Sequence, residues 1–114
     1  MTSVPSPYEL LATSRQTLFA ILNVHVCPVC DTRLRDLQVH AIELERERVR
    51  LGKLLHQQAM ERETLVAFCE QMKALIKETN AFCEECKGKW NLLLLQADSF
   101  EAFVMQPPAS LHHS

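Results

Sequence analysis

The chain has little glycine and, over most of its length, no proline. Its 114 residues include two glycines, Gly52 and Gly88, and five prolines, none of which lies between residues 29 and 106. Proteins rich in β-strands need frequent turns, and glycine and proline are the usual residues of those turns. Because turn residues are so scarce, the sequence excludes a β-rich fold and predicts an all-α protein.

An excess of charge of one sign is also missing. Twelve lysines and arginines stand against fourteen aspartates and glutamates, so the formal net charge is −2. Proteins that bind nucleic acids or acidic membrane surfaces depend on a basic field, which this chain lacks. We therefore expect neither a nucleic acid nor a membrane as a partner.

Long apolar runs and a secretory leader are absent as well. The longest apolar runs cover residues 18–22 and 65–69, whereas a membrane-spanning helix needs about 20 apolar residues. Residues 1–9 have neither the basic region nor the apolar region of a secretory signal. These features predict a soluble intracellular protein, cytoplasmic or nuclear. In such a compartment we expect paired cysteines to bind a metal ion, whereas in an exported chain they would form disulfides.

The apolar residues of the chain follow helical spacings. Ser6, Pro7 and Glu9 form a helix start, in which serine caps the helix, proline occupies its first position and glutamate completes a capping box. We predict a single domain over residues 7–104, between a flexible N-terminus (1–6) and a disordered tail (105–114). Its helices are expected at about 7–23, 31–55, 58–82 and 86–104.

The central part of the chain has a heptad-like pattern. Ten of fourteen positions spaced by three and four residues are apolar, which predicts a coiled-coil-like seam. The positions are Leu34, Leu37, Ala41, Leu44, Arg48, Leu51, Leu55, Gln58, Arg62, Leu65, Cys69, Met72, Ile76 and Thr79.

Two geometries are compatible with this pattern. A single helix over residues 31–82 would be roughly 78 Å long, and its ends could meet only those of a second, antiparallel chain. A break between Gly52 and Gln58 would instead fold the segment into a hairpin within one chain. The polar residues near the midpoint and the nearly equal arms favour the hairpin.

Four of the five cysteines form two pairs with the same spacing, Cys27/Cys30 and Cys83/Cys86. Two cysteines three residues apart can bind one metal ion, and two such pairs complete a tetrahedral zinc site. Pro28 helps the chain turn towards the ion. We predict one structural Zn²⁺ held by these four cysteines, and we expect Cys69, on the seam, to be a small core residue.

Other interpretations of the cysteines and histidines are weaker. His25 and His40 could replace a ligand, but neither has the spacing of a zinc finger. A thiol redox role for Cys27 and Cys30 would require a βαβ unit that the sequence does not predict. A zinc ion with four thiolate ligands has no open position for a substrate, and no phosphate-binding loop or catalytic triad is evident. We therefore expect no enzyme activity and no small-molecule substrate.

The predicted fold is a helical hairpin or four-helix-bundle-like domain with coiled-coil-like central helices tied by the four-cysteine zinc site. Its expected function is protein–protein interaction as an adaptor or scaffold, with a protein partner or a second copy in a homodimer. The residues expected to bind the partner are Leu92, Leu93, Leu94, Leu95, Phe100 and Phe103. The alternatives are a thiol redox protein and a nucleic-acid adaptor that uses Arg33, Arg35, Arg46, Arg48, Arg50 and Lys53.

Two short segments resemble known zinc modules. Residues 27–34, with Cys27, Pro28 and Cys30, resemble the zinc hook of SMC-like DNA-repair ATPases, in which this motif pairs with its copy in a second chain. Residues 82–103 are similar to the closing motif of insect zinc-finger-associated domains, although that family has arginine where this chain has Pro28. Both resemblances imply a zinc ion that organises protein–protein contacts.

Overall fold

The computed structural model describes residues 4–78 and 82–105 of the chain. These residues form five helices and no strand, which confirms the predicted all-α class. Residues 1–3 of the predicted N-terminal arm and residues 106–114 of the predicted tail lie outside the described part. No helix within it combines the length and the hydrophobicity needed to cross a membrane. The helices are α1 (Pro7–Asn23), α2 (Pro28–His56), α3 (Arg62–Lys77), α4 (Glu84–Lys89) and α5 (Asn91–Val104).

Helix α1 begins as the sequence indicates. The Ser6 side chain accepts a hydrogen bond of 3.2 Å from the backbone N–H of Glu9, and Pro7 occupies the first turn. The end of α1 is tied to α2, because the Gln38 side-chain amide donates to the carbonyl oxygen of Ile21 at 3.1 Å. The apolar face of α1 then packs along α2, and the two helices form one half of the domain.

Helices α2 and α3 form the predicted hairpin, which excludes an unbroken helix over residues 31–82. The break lies at residues 57–61, whereas Gly52 is inside α2. The turn is a Schellman motif: the Gln58 N–H donates to the Leu55 carbonyl at 3.0 Å, and the Ala59 N–H donates to the Leu54 carbonyl at 2.8 Å. Gln58 has a φ of 58°, in the left-handed region where glycine is the usual residue.

Replacing Gln58 with glycine is therefore expected to stabilise the protein. A side chain other than glycine costs roughly 1 kcal/mol in this conformation, and part of that cost is offset because glycine makes the unfolded chain more flexible. We expect a gain of about 0.5–1 kcal/mol in the free energy of unfolding, measured by chemical denaturation. Gln57→Gly is the matched control and should not stabilise, since Gln57 has a φ of −85°. Equal effects of the two changes would contradict the assignment of the turn.

The hydrophobic core is formed by the hairpin together with α1 and α5, and not by the hairpin alone. The most extensive helix contacts are those of α1 with α2 and of α3 with α5, while α2 and α3 touch each other less. Of the ten apolar seam positions, all except Leu55 are buried, and they face the centre of a four-helix arrangement that α1 and α5 complete. The seam is thus covered within one chain and is not an exposed coiled-coil surface.

Three of the predicted helices have wrong bounds. Helix α2 begins at Pro28 and not at 31, because proline fits the first position of a helix. Helix α3 covers Arg62–Lys77 and not 58–82, because the turn occupies 57–61 and Phe82 already lies outside the helix. The predicted last helix, 86–104, is divided into α4 and α5 at Trp90.

Trp90 accounts for this division. Its side chain is fully buried, and its indole N–H donates to the Ile76 carbonyl at 2.7 Å. The Phe82 ring packs edge-on against the indole, with 5.6 Å between the ring centroids. The corner between α4 and α5 is therefore anchored to α3, and it holds the second cysteine pair at one end of the domain.

Candidate metal centre

Each cysteine pair lies at the start of a helix. Cys27 and Cys83 are the N-cap residues of α2 and α4, and their backbone angles are nearly the same: φ −67° and ψ 161° for Cys27, φ −69° and ψ 164° for Cys83. Cys30 and Cys86 follow in the first turn of the same helices. The two pairs therefore present their sulfur atoms in the same local geometry, although they are more than 50 residues apart in the sequence.

The two pairs also exchange hydrogen bonds across the centre. The backbone N–H of Cys27 donates to Cys86 Sγ at 3.4 Å, and the backbone N–H of Cys83 donates to Cys30 Sγ at 3.3 Å. This reciprocal pattern gives the centre an approximate two-fold symmetry. Hydrogen bonds from backbone amides favour the thiolate form of a cysteine, so each N-cap residue supports a ligand of the other pair.

The spacing of the sulfur atoms fits a tetrahedral metal ion. All four Sγ atoms lie within 4.8 Å of one another, and Cys27 Sγ is 3.9 Å from Cys83 Sγ. A Zn²⁺ ion at about 2.3 Å from each sulfur requires sulfur atoms roughly 3.8 Å apart. The donor set, four sulfurs with no oxygen, is the one that zinc and iron–sulfur centres use. The four predicted ligands are thus brought together as a group that could hold a metal.

In each cysteine pair the second residue is buried and the first is more exposed. Cys30 and Cys86 are buried, whereas Cys27 is half-buried and Cys83 is exposed. Cys30 and Cys86 therefore belong to the core of the domain, while Cys27 and Cys83 lie nearer its surface.

The thiols influence one another strongly. Hydrogen bonds from the Cys30 backbone N–H and thiol lower the pKa of Cys27 from 9.0 to about 7. The Cys27 backbone N–H favours the Cys86 thiolate, but burial and the neighbouring thiols outweigh it and raise the pKa of Cys86 to about 12. The Cys83 backbone N–H acts likewise on Cys30, whose pKa is nevertheless raised by burial and by the Cys27 and Cys83 thiols. Four thiolates at this distance need a cation between them.

Contacts outside the cysteines hold the two sides of the centre together. The Lys89 ammonium, from α4, donates to the His25 carbonyl in the α1–α2 connection at 3.2 Å. Trp90 fixes the other side of α4 to α3, as described above. Sequence patterns did not identify Lys89 or Trp90 as part of the site, although the close spacing of Trp90 to Cys86 was a usable signal.

The remaining candidate ligands lie elsewhere. Cys69 is fully buried, and burial together with Glu70 raises the pKa of its thiol to about 12, so it is an inert core residue. Within the described residues, neither His25 nor His40 belongs to the sulfur cluster. His25 is exposed, and His40 lies on α2 at 4.0 Å from the carboxylate of Glu43.

The predicted partner-binding residues separate into two groups. Leu93, Phe100 and Phe103 are buried in the core, so they are not available to a partner, because helix α5 needs them to pack against the rest of the domain. Leu92 and Leu95 are 75% and 67% exposed, and Leu94 is half-buried. The exposed surface of α5 is therefore smaller than the sequence suggested.

The basic residues of α2 are partly neutralised. Three of the six arginines and lysines considered for nucleic-acid binding form ion pairs within the helix, which reduces the charge that could meet phosphates. The pairs are Arg35 with Asp31, Arg48 with Glu45, and Arg50 with Glu47.

Comparison with known proteins adds no further assignment. No family model matches the chain, and no significant match was found among curated proteins or solved structures.

Proposed function

We propose that this protein is a non-catalytic interaction module whose helices are tied by one structural Zn²⁺ ion. The observation that carries the proposal is the convergence of four sulfur atoms within 4.8 Å of one another. Zinc is favoured among metals because closed four-thiolate sites are typical of structural zinc in proteins. The ion would connect the start of α2 to the start of α4, and thereby the two ends of the hairpin.

An interaction role would explain why two large apolar side chains on α5 are exposed. Leu92 and Leu95 lie one turn apart on α5 and project large apolar side chains from the surface. Exposed apolar residues at helical spacing are a common contact in helix–helix association. We propose that these two residues contact a protein partner, for which a second copy of the chain is the simplest candidate. An adaptor of this kind needs no catalytic group.

Metal removal tests the structural role of the ion. Because metal binding and folding are linked in small zinc domains, a strong chelator is expected to release zinc and to lower the melting temperature by well over 10 °C, as followed by far-UV circular dichroism. Restored zinc should restore the transition, whereas excess Mg²⁺ should not. An unchanged spectrum and melting temperature after complete zinc removal would overturn the structural role.

Thiol redox chemistry is the second candidate, and one observation favours it. Cys27 is only half-buried and its pKa is lowered to about 7, which are properties of reactive cysteines at helix starts. Alkylation of the zinc-loaded protein separates the two functions. Protection of all four cysteines until zinc is removed agrees with the structural role, while rapid modification of Cys27 in the zinc-loaded protein would favour the redox role.

A further inference from the structure

The outer side of the hairpin has an open groove between α2 and α3. It encloses a volume of about 720 Å³, within the range of about 300–1,000 Å³ that binding sites usually have. The groove exists because α2 and α3 touch each other less than each touches its other neighbour. We refer to it as the α2–α3 groove.

The groove follows the helix axes. On α3 its lining runs from Thr64 to Glu78, and on α2 from His40 to Glu47, so its length along α3 is about 21 Å. Leu44, Phe68 and Leu75 form an apolar floor. Ala67 and Ala74 on α3 are exposed, and their small side chains leave room for an occupant above the apolar floor. The α2 side is shorter, about 10 Å. A groove with an apolar floor and small side chains at one wall is suited to an amphipathic helix that contacts α3 along its length and α2 over about two turns.

The charged side chains at the edges of the groove, which we call its rim, are glutamates. Glu43, Glu47 and Glu78 line the groove, and among the described lining residues there is neither a lysine nor an arginine. Arg50 pairs with Glu47 from outside the groove and neutralises part of its charge. The acidic side chains are spread along the groove, since Glu47 and Glu78 lie towards opposite ends and Glu43 lies between them, at 4.0 Å from His40.

We propose that the α2–α3 groove binds a basic amphipathic helix of a protein partner. The apolar stripe of that helix would lie on Leu44, Phe68 and Leu75 and pass close to the two alanines, while its lysines or arginines would meet the glutamates of the rim. The acidic rim repels nucleic-acid phosphates, so this surface selects a cationic protein segment. The inference rests on the proposed interaction function and deepens it, because it assigns a class of partner and a second contact surface apart from Leu92 and Leu95.

A designed peptide provides the probe. It has leucine at positions i, i+3, i+4 and i+7, repeated over about four turns, and lysine on the remaining face. Two control peptides are needed: one with the same composition but no apolar face, and one with glutamate in place of lysine. Binding to the zinc-loaded full chain is measured by fluorescence anisotropy, and we expect both controls to bind at least about ten-fold more weakly, a difference of 1.4 kcal/mol.

Variants of the protein locate the binding. Ala74→Trp should fill the groove and weaken binding about ten-fold or more, and Glu43→Lys should weaken it several-fold, more strongly at low salt. Their matched controls are Ala102→Trp on α5 and Glu63→Lys on α3, which are exposed residues outside the groove. The controls should bind the peptide as the wild type does. Zinc content and circular dichroism of every variant show whether the fold is retained.

Binding of the peptide elsewhere on the chain gives distinct results. If removal of residues 106–114 abolishes peptide binding, the peptide binds that segment and the inference is overturned. If Leu92→Glu abolishes peptide binding while Ala74→Trp and Glu43→Lys do not weaken it, the peptide binds α5. That result rejects the groove but leaves the interaction function intact. If the metal test fails while the groove variants still weaken binding, the zinc role is wrong and the groove stands.

Discussion

Replacing Cys86 with alanine is expected to abolish tight zinc binding and the cooperative unfolding of the domain. Structural zinc contributes about 10–16 kcal/mol of apparent binding free energy in small zinc modules, whereas the whole stability of a domain is about 5–15 kcal/mol. Loss of one of the four ligands removes a large part of the zinc-binding free energy. The three remaining thiols also repel one another when they are ionised. Zinc content by elemental analysis and a thermal melt by circular dichroism measure both effects.

Cys69→Ala is the matched control for that change. Cys69 and Cys86 are 0% and 1% exposed, so both substitutions remove a buried thiol and leave a cavity of similar size. Because Cys69 is outside the sulfur cluster, its replacement should keep the full zinc content and cost only about 1 kcal/mol. Similar losses of stability and of zinc in the two variants would show that Cys86 acts by packing and not as a ligand.

The second large effect is expected at Trp90. Trp90→Ala should lower the free energy of unfolding by about 3–5 kcal/mol, because it empties a fully buried site and removes the ring that Phe82 packs against. Trp90→Phe fills part of the space but leaves the Ile76 carbonyl without its indole donor, at a cost of about 1–3 kcal/mol. Chemical denaturation of the zinc-loaded proteins gives both values.

Zinc binding distinguishes Trp90→Ala from the replacement of a cysteine ligand. All four cysteines remain in Trp90→Ala, so the folded fraction should still bind zinc, with lower affinity because α4 is held less firmly. Asp98→Ala, at an exposed position of α5, should change stability by less than about 0.5 kcal/mol. A cost below 1 kcal/mol for Trp90→Ala would contradict the role of Trp90 as the anchor of α4.

Much of this architecture could be predicted from the sequence because several local signals agree. The scarcity of proline and glycine indicated helices, and Ser6 and Pro7 marked the start of α1. The matched spacing of the cysteine pairs predicted that Cys27 and Cys30 would meet Cys83 and Cys86. The polar residues near the midpoint and the nearly equal arms favoured the hairpin, which brings both pairs together within one chain.

The remaining features depend on tertiary structure. The residues of the hairpin turn could not be identified within the predicted range, because its left-handed position is occupied by Gln58 and not by glycine, while Gly52 lies inside a helix. The split at Trp90 depends on a hydrogen bond to α3, and no local pattern encodes it. Phe100 and Phe103 could not be told from surface residues, because helix α5 is apolar on several faces. The α2–α3 groove arises only from the unequal packing of four helices.

Native mass spectrometry of protein purified without added zinc tests the central claim most directly. The spectrum reports the metal and the number of chains in the same particle. We predict one zinc ion per chain, bound also by the monomer, and release of that ion after Cys86→Ala. A protein that carries no metal while it remains folded would contradict this account. So would zinc that is present only in dimers and lost whenever the dimer dissociates, since the four sulfurs would then come from two chains.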